Sequence, residues 1–98
     1  MAELDRMIQA ELEEAARISG FKILRWDGTK RRDINGLATI VTEYKRSSLL
    51  KVGKTFHVRL VRVLRRSRSF TLTVSYSEAE APVMRPITDF VINSLRQD

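Results

Sequence analysis

One histidine, His57, and no cysteine set narrow limits on the chemistry open to these 98 residues. A structural or catalytic metal needs three or four ligating side chains, which His57 cannot supply alone. A nucleophile needs a neighbouring base, and the sequence offers no thiol and no serine in an elbow motif to pair with His57. Most carboxylates fall in residues 1–21 and in the run SEAEAP at 77–82, where solvation or pairing with basic neighbours accounts for them. The four glycines, Gly20, Gly28, Gly36 and Gly53, are dispersed, so no glycine-rich phosphate loop exists. The expectation is a chain that is not an enzyme and carries no metal or cofactor.

Basic residues are the sharper signal. Residues 1–21 hold two basic and five acidic groups, residues 22–68 hold 14 and three, and residues 69–98 hold two and four, so the formal net charge of +6 belongs to the middle of the chain. Lys30, Arg31 and Arg32 stand in one cluster and Lys45, Arg46, Lys51 and Lys54 in another. Arg59, Arg62, Arg65, Arg66 and Arg68 form a third. Guanidinium groups in a row bind phosphates or anionic headgroups bidentately. Arg59, Arg62, Arg65, Arg66 and Arg68, with Lys51 and Lys54, are therefore the expected anion-binding residues. The alternative is that these arginines pair with the acidic first helix of this or a neighbouring chain, or are merely solvated. Leu49 and Leu50 either wedge between lipids beside the lysines or fold inward onto the core. Trp26 and Tyr44 either stack on nucleobases or pack in the core or at its rim, and packing fits better because they do not alternate with basic residues on one strand. Ser67 and Ser69 lie in a basic context that a basophilic kinase would accept, and phosphate there would weaken anion binding.

These residues need elements to position them. Leu4, Met7, Ile8, Leu12, Ala15 and Ile18 recur at spacings of three and four, which predicts an amphipathic helix ended by Gly20. Phe21 to Trp26 reads as a short strand closed by an Asp27-Gly28 turn, Lys30 to Asp33 as a polar connection, and Asn35-Gly36 as a second turn. Leu37 to Tyr44 is rich in β-branched residues and reads as a strand, and Lys45 to Lys54 as a loop. From Thr55 to about Arg65 a long strand alternates Phe56, Val58 and Leu60 with His57 and Arg59, then slips phase to Val61 and Val63. One extra residue near Leu60 and Val61 would explain the slip and bring Arg59 and Arg62 to the same exposed side. After a hairpin at Arg66-Ser67-Arg68, Phe70, Leu72, Val74 and Tyr76 alternate with Thr71, Thr73 and Ser75. SEAEAP is a solvated linker, and Pro86 opens a last helix with Ile87, Phe90, Val91 and Leu95 on one stripe.

At 43% hydrophobic and 31% charged residues, the composition is that of one folded domain over residues 1–98. The expected architecture is an α+β two-layer sandwich: helix, four-stranded antiparallel sheet, helix, both helices covering one face. No segment reads as a membrane span or a signal peptide, which predicts a cytoplasmic or nuclear protein, with a peripheral membrane location open to it.

In this order the elements resemble the kinase-associated-1 domain of AMP-activated, checkpoint and microtubule-affinity-regulating kinases. The likeness rests on the helix running into Gly20-Phe21, Phe21-Lys22-Ile23, the strand Phe56-His57-Val58-Arg59-Leu60, the strand Phe70-Thr71-Leu72-Thr73-Val74 and the closing helix Ile87 to Leu95. The chain departs from that family in a hairpin without glycine and a longer linker before the last helix. The resemblance implies a regulatory module that binds acidic phospholipids or a kinase domain. Two other likenesses imply other partners: RWD-type kinetochore heads, a protein adaptor with homo-oligomers through the first helix, and the signal recognition particle subunits, an RNA-binding sheet.

Overall fold

A computed structural model describes residues 2–48, 53–64 and 69–95. Its elements are α1 (Ala2–Ser19), β1 (Ile23–Ile34), β2 (Leu37–Ser47), β3 (Thr55–Val63), β4 (Phe70–Ser77), a 3₁₀ turn at Glu78–Glu80 and α2 (Ala81–Asn93). The strands form one antiparallel sheet in sequence order. The α+β class and the order helix, four strands, helix are those expected from the sequence.

Helix α1 forms where the apolar spacing places it, with Glu3 and Asp5 in its first turn and Arg17 in its last, each favourable to the helix dipole. It ends at Gly20, whose φ of +87° and N–H bond to the Ala16 carbonyl (2.8 Å) close the last turn. The buried stripe is narrower than the sequence suggests. Ile8 and Ala16 are buried and Leu12 is half-buried, whereas Met7, Ala15 and Ile18 are exposed.

Strand β1 corrects two expectations. Asp27-Gly28 is not a turn, and Lys30 to Asp33 is not a connection, because both lie inside one 12-residue strand. Its register against β2 shifts between Ile23 and Arg25 and again between Trp26 and Gly28, so the Gly28 φ of +108° is absorbed in a bulge. Asn35 and Gly36, with φ of 52° and 84°, make the tight hairpin turn into β2. Strand β2 runs on through Ser47, so Lys45 and Arg46 are strand residues rather than loop.

Strand β3 carries a third correction. It pairs one-for-one with both β2 and β4, with no extra residue near Leu60 and Val61. The apparent change of phase has another cause, since both faces of this strand are covered. Val58 and Leu60 join Tyr44 in a core completed by Leu12, Ile23 and Trp26, under α1. Val61 joins Ile34 and Ile92 in a second core completed by Val41, Leu72 and Leu95, under α2. Val58 and Leu60 alternate with Val61 along one strand, so the two helices lie on opposite faces of the sheet. The expected two layers thus become a helix on each side of the sheet.

The SEAEAP segment is likewise ordered. Its Glu78–Glu80 part is a 3₁₀ turn, and α2 starts at Ala81, so Pro82 occupies the first turn and Pro86 lies inside the helix. Thr88 and Ile92 are the buried residues of α2, while Ile87, Phe90 and Val91, expected on its core stripe, are exposed. The far end of α2 is fixed to the first hairpin, where Asn35 Nδ2 donates to the carbonyls of Asn93 (2.9 Å) and Leu95 (2.7 Å).

Candidate anion-binding cleft

Strand pairing decides which basic side chains gather. In β1 the register sets Lys30 opposite Val41 and Arg32 opposite Thr39, on the face that α2 covers. Arg25 pairs with Lys45 on that same face, which the bulges at Leu24 and Asp27 make possible. Helix α2 crosses only part of this face. Beside it lies a cleft of about 480 Å³ lined by Arg25, Lys30, Arg31, Arg32, Arg59 and Arg85 against two acids, Asp27 and Glu43. Val41, His57 and Tyr76 also line it.

Not all of that charge is available. Arg25 is paired with Asp27 at 2.7 Å. Arg59 is buried, with its Nε 2.7 Å from Glu43 and its Nη1 on Asp89 of α2, so it joins the helix to the sheet. Burial opposes the Arg59 charge, but the hydrogen bond to Asp89 and the carboxylate charges of Glu43 and Asp89 outweigh it and hold the pKa above the ordinary arginine value. Arg32 donates from Nη2 to Asn93 Oδ1 at 2.6 Å, a neutral partner that fixes the guanidinium and leaves its charge unspent. Lys30, Arg31 and Arg85 make no ion pair with any described carboxylate.

His57 sits at the end of the cleft, stacked on Tyr76 with ring centroids 5.3 Å apart. Its Nε2 is buried, makes no hydrogen bond to a described residue, and lies 3.7 Å from Glu78, whose carboxylate accepts a 2.9 Å bond from Lys45 Nζ. Burial, and then the Lys45 charge, push the His57 pKa below the ordinary histidine value, so the ring is neutral at pH 7. No three His, Cys, Asp or Glu side chains group to hold a metal among the described residues.

Of the anion-binding residues expected from sequence, Arg59 is buried in ion pairs. Arg62 is on the α1 face, 3.8 Å from Glu11. Without a bulge the two do not share a face, which corrects the expected row. Lys54 is exposed in the β2–β3 hairpin, beside a separate hollow that includes Ser77 and Ala79. Lys51, Arg65, Arg66 and Arg68 lie outside the described residues, as do Leu49, Leu50 and Ser67.

Lys30, Arg31 and Arg32 stand out in the sequence as a basic cluster, but their local sequence resembles a connection rather than the strand they form. Treated as strand residues, their alternation would have put Lys30 and Arg32 on one side. Arg25 and Arg85 carry no local signal in the sequence, because Arg85 is an isolated basic residue in α2 and Arg25 joins the cleft only through the bulges.

The aromatic residues are already engaged. Trp26 stacks on Tyr44 at 5.8 Å and its indole N–H donates to Asp5 of α1 at 3.1 Å, while Arg46 lies over the rings of Phe21 and Phe56. No family model, curated protein or solved structure matches the chain. No helix among the described residues is long and apolar enough to cross a membrane.

Proposed function

We propose that this chain is a non-catalytic binding module that docks on an acidic phospholipid surface through the cleft beside α2. The observation that carries the reading is the convergence of Lys30, Arg32 and Arg85 on one open cleft, with the Arg32 charge held in place by a neutral partner. Each Lys or Arg near an anionic leaflet contributes about 1 kcal/mol, so three of them give roughly a hundredfold preference for acidic over neutral lipid. RNA recognition by base stacking has less support, because Trp26 is stacked on Tyr44 and His57 on Tyr76. An adaptor dimerising through α1 has less support too, since Ile8, Leu12 and Ala16 face the sheet.

The test is co-sedimentation with phosphatidylcholine vesicles of graded phosphatidylserine content at physiological salt. The wild-type chain should bind in proportion to acidic lipid. Lys30→Glu/Arg32→Glu, at two exposed strand positions, should lose roughly a hundredfold in affinity with its circular dichroism unchanged. Arg62→Glu, on the opposite face, should bind as wild type. Equal losses in both variants, or no binding by the wild type, would sink the cleft as the docking site.

A further inference from the structure

Helix α2 points an uncharged, largely apolar side away from the sheet. Val83, Ile87, Phe90 and Val91 are 67%, 50%, 75% and 43% exposed, and Pro86 and Ser94 complete that side. Their spacing of three and four puts them together on the helix, opposite the buried Thr88 and Ile92. From these exposures the patch is on the order of 400 Å², within the size at which a patch on a monomer marks an interaction site. In a chain with 31% charged residues, such a stripe is a departure that the core does not explain.

What covers it is indicated by its neighbours. The stripe and the cleft are on the same side of the sheet, and the cleft wall nearest the helix carries Arg85, Arg32 and Lys30. A second copy seated on α2 would stack sheet, helix, helix, sheet and bring two net-positive clefts to face each other. A bilayer with acidic lipid has no such conflict. An interfacial helix sinks its apolar side about 5–10 Å, which sets its axis near the lipid phosphates. The sheet then lies about 10 Å below that axis, within reach of long Lys and Arg side chains directed up from it.

We propose that α2 lies in the membrane interface, with Val83, Ile87, Phe90 and Val91 among the acyl chains while Lys30, Arg32 and Arg85 bind the phosphates beside it. This rests on the phospholipid reading of the cleft and adds to it an orientation and an apolar contribution that salt does not screen.

The absence of native cysteine allows single labels. Phe90→Cys and, on the opposite face of β4, Thr71→Cys would each carry an environment-sensitive nitrobenzoxadiazole probe. On phosphatidylcholine vesicles with phosphatidylserine, the probe at position 90 should shift to the blue and be quenched by lipid nitroxides, and the probe at 71 should do neither. Ile87→Asn/Phe90→Asn, at exposed positions that leave the core intact and add no charge, should bind these vesicles roughly tenfold more weakly or worse, with an unchanged salt dependence. A probe at 90 that stays in water while the protein sediments overturns the insertion and leaves the cleft reading standing. Failure to sediment at all overturns both. A shift at position 90 without lipid, growing with protein concentration and with a dimer mass, assigns the stripe to a second copy and overturns the proposal.

Discussion

On the α1 side of the sheet, Trp26, Tyr44, Val58 and Leu60 pack together beneath Leu12, and the polar groups at their edge are bonded in place, Trp26 to Asp5 and Thr29 to Thr42. The α2 side is divided. Towards the first hairpin, Ile34, Val41, Val61 and Ile92 form an apolar core, whereas towards the other end the same face turns to Glu43, Lys45, His57 and Arg59. Helix α2 covers the first half, and the charged half, with the β1 edge, makes the cleft. Strands with a side-chain period of two serve both purposes, so the difference between the faces is set one residue at a time. A sealed core and a charged opening coexist because each uses alternate positions of the same strands.

The largest effects should come from the cores themselves. Ile92→Ala should cost about 3–4 kcal/mol in urea unfolding, and Leu60→Ala about 2–3 kcal/mol, as expected for truncations of buried aliphatic side chains. Because the two lie on opposite faces, the double variant should equal their sum to within about 0.5 kcal/mol. A larger departure would mean that the faces are coupled through the strands and are not two separate cores.

Next in size is the ion pairing that joins α2 to the charged half. Glu43→Ala/Asp89→Ala leaves the buried Arg59 charge without either partner and should cost about 2–3 kcal/mol, less than a fully buried pair because both carboxylates are partly exposed. Arg59→Met removes the charge as well and should cost about 1 kcal/mol. If Arg59→Met proved the more damaging of the two, the guanidinium would be holding the helix by packing rather than by charge.

The same contrast explains how much was legible in the sequence. Helix α1, the Asn35-Gly36 hairpin and the alternation of β4 are legible in the sequence, because each has a local cause: spacing, turn chemistry or a one-sided strand. Strand β3 misled because VRLVRV is covered on both faces, and an apolar residue on each side of a strand looks like a slipped phase. Strand β1 misled because Asp-Gly serves a bulge as well as it serves a turn. The cleft was half legible. Lys30 to Arg32 stood out as charge, but its assembly with Arg25 and Arg85 depends on bulges and on where α2 crosses. The apolar stripe of α2 is legible in the sequence but its side is not, since apolar spacing alone cannot say which side of a helix the sheet takes.

The smaller predictions separate the faces by how each holds its polar groups. Trp26→Phe keeps the ring against Tyr44 and loses the bond to Asp5, a cost of about 1 kcal/mol that should be independent of pH near neutrality. On the α2 side the corresponding group is His57, and its effect should depend on pH. Burial, Lys45 and Arg25 disfavour its protonated form and Glu78 favours it, with the balance placing the folded pKa below 6.5. The unfolded chain therefore takes up the proton more readily than the folded one. The stability that comes from a neutral His57 is complete above the unfolded value and is lost as pH falls through and below it. Wild type should thus weaken on going from about pH 7 to pH 5, in advance of the carboxylates. His57→Phe, which preserves the ring stacked on Tyr76, should flatten that slope, and a slope unchanged in His57→Phe would place the titration elsewhere. Glu78→Gln should steepen it, since the carboxylate is what partly offsets Lys45 and Arg25 at the imidazole.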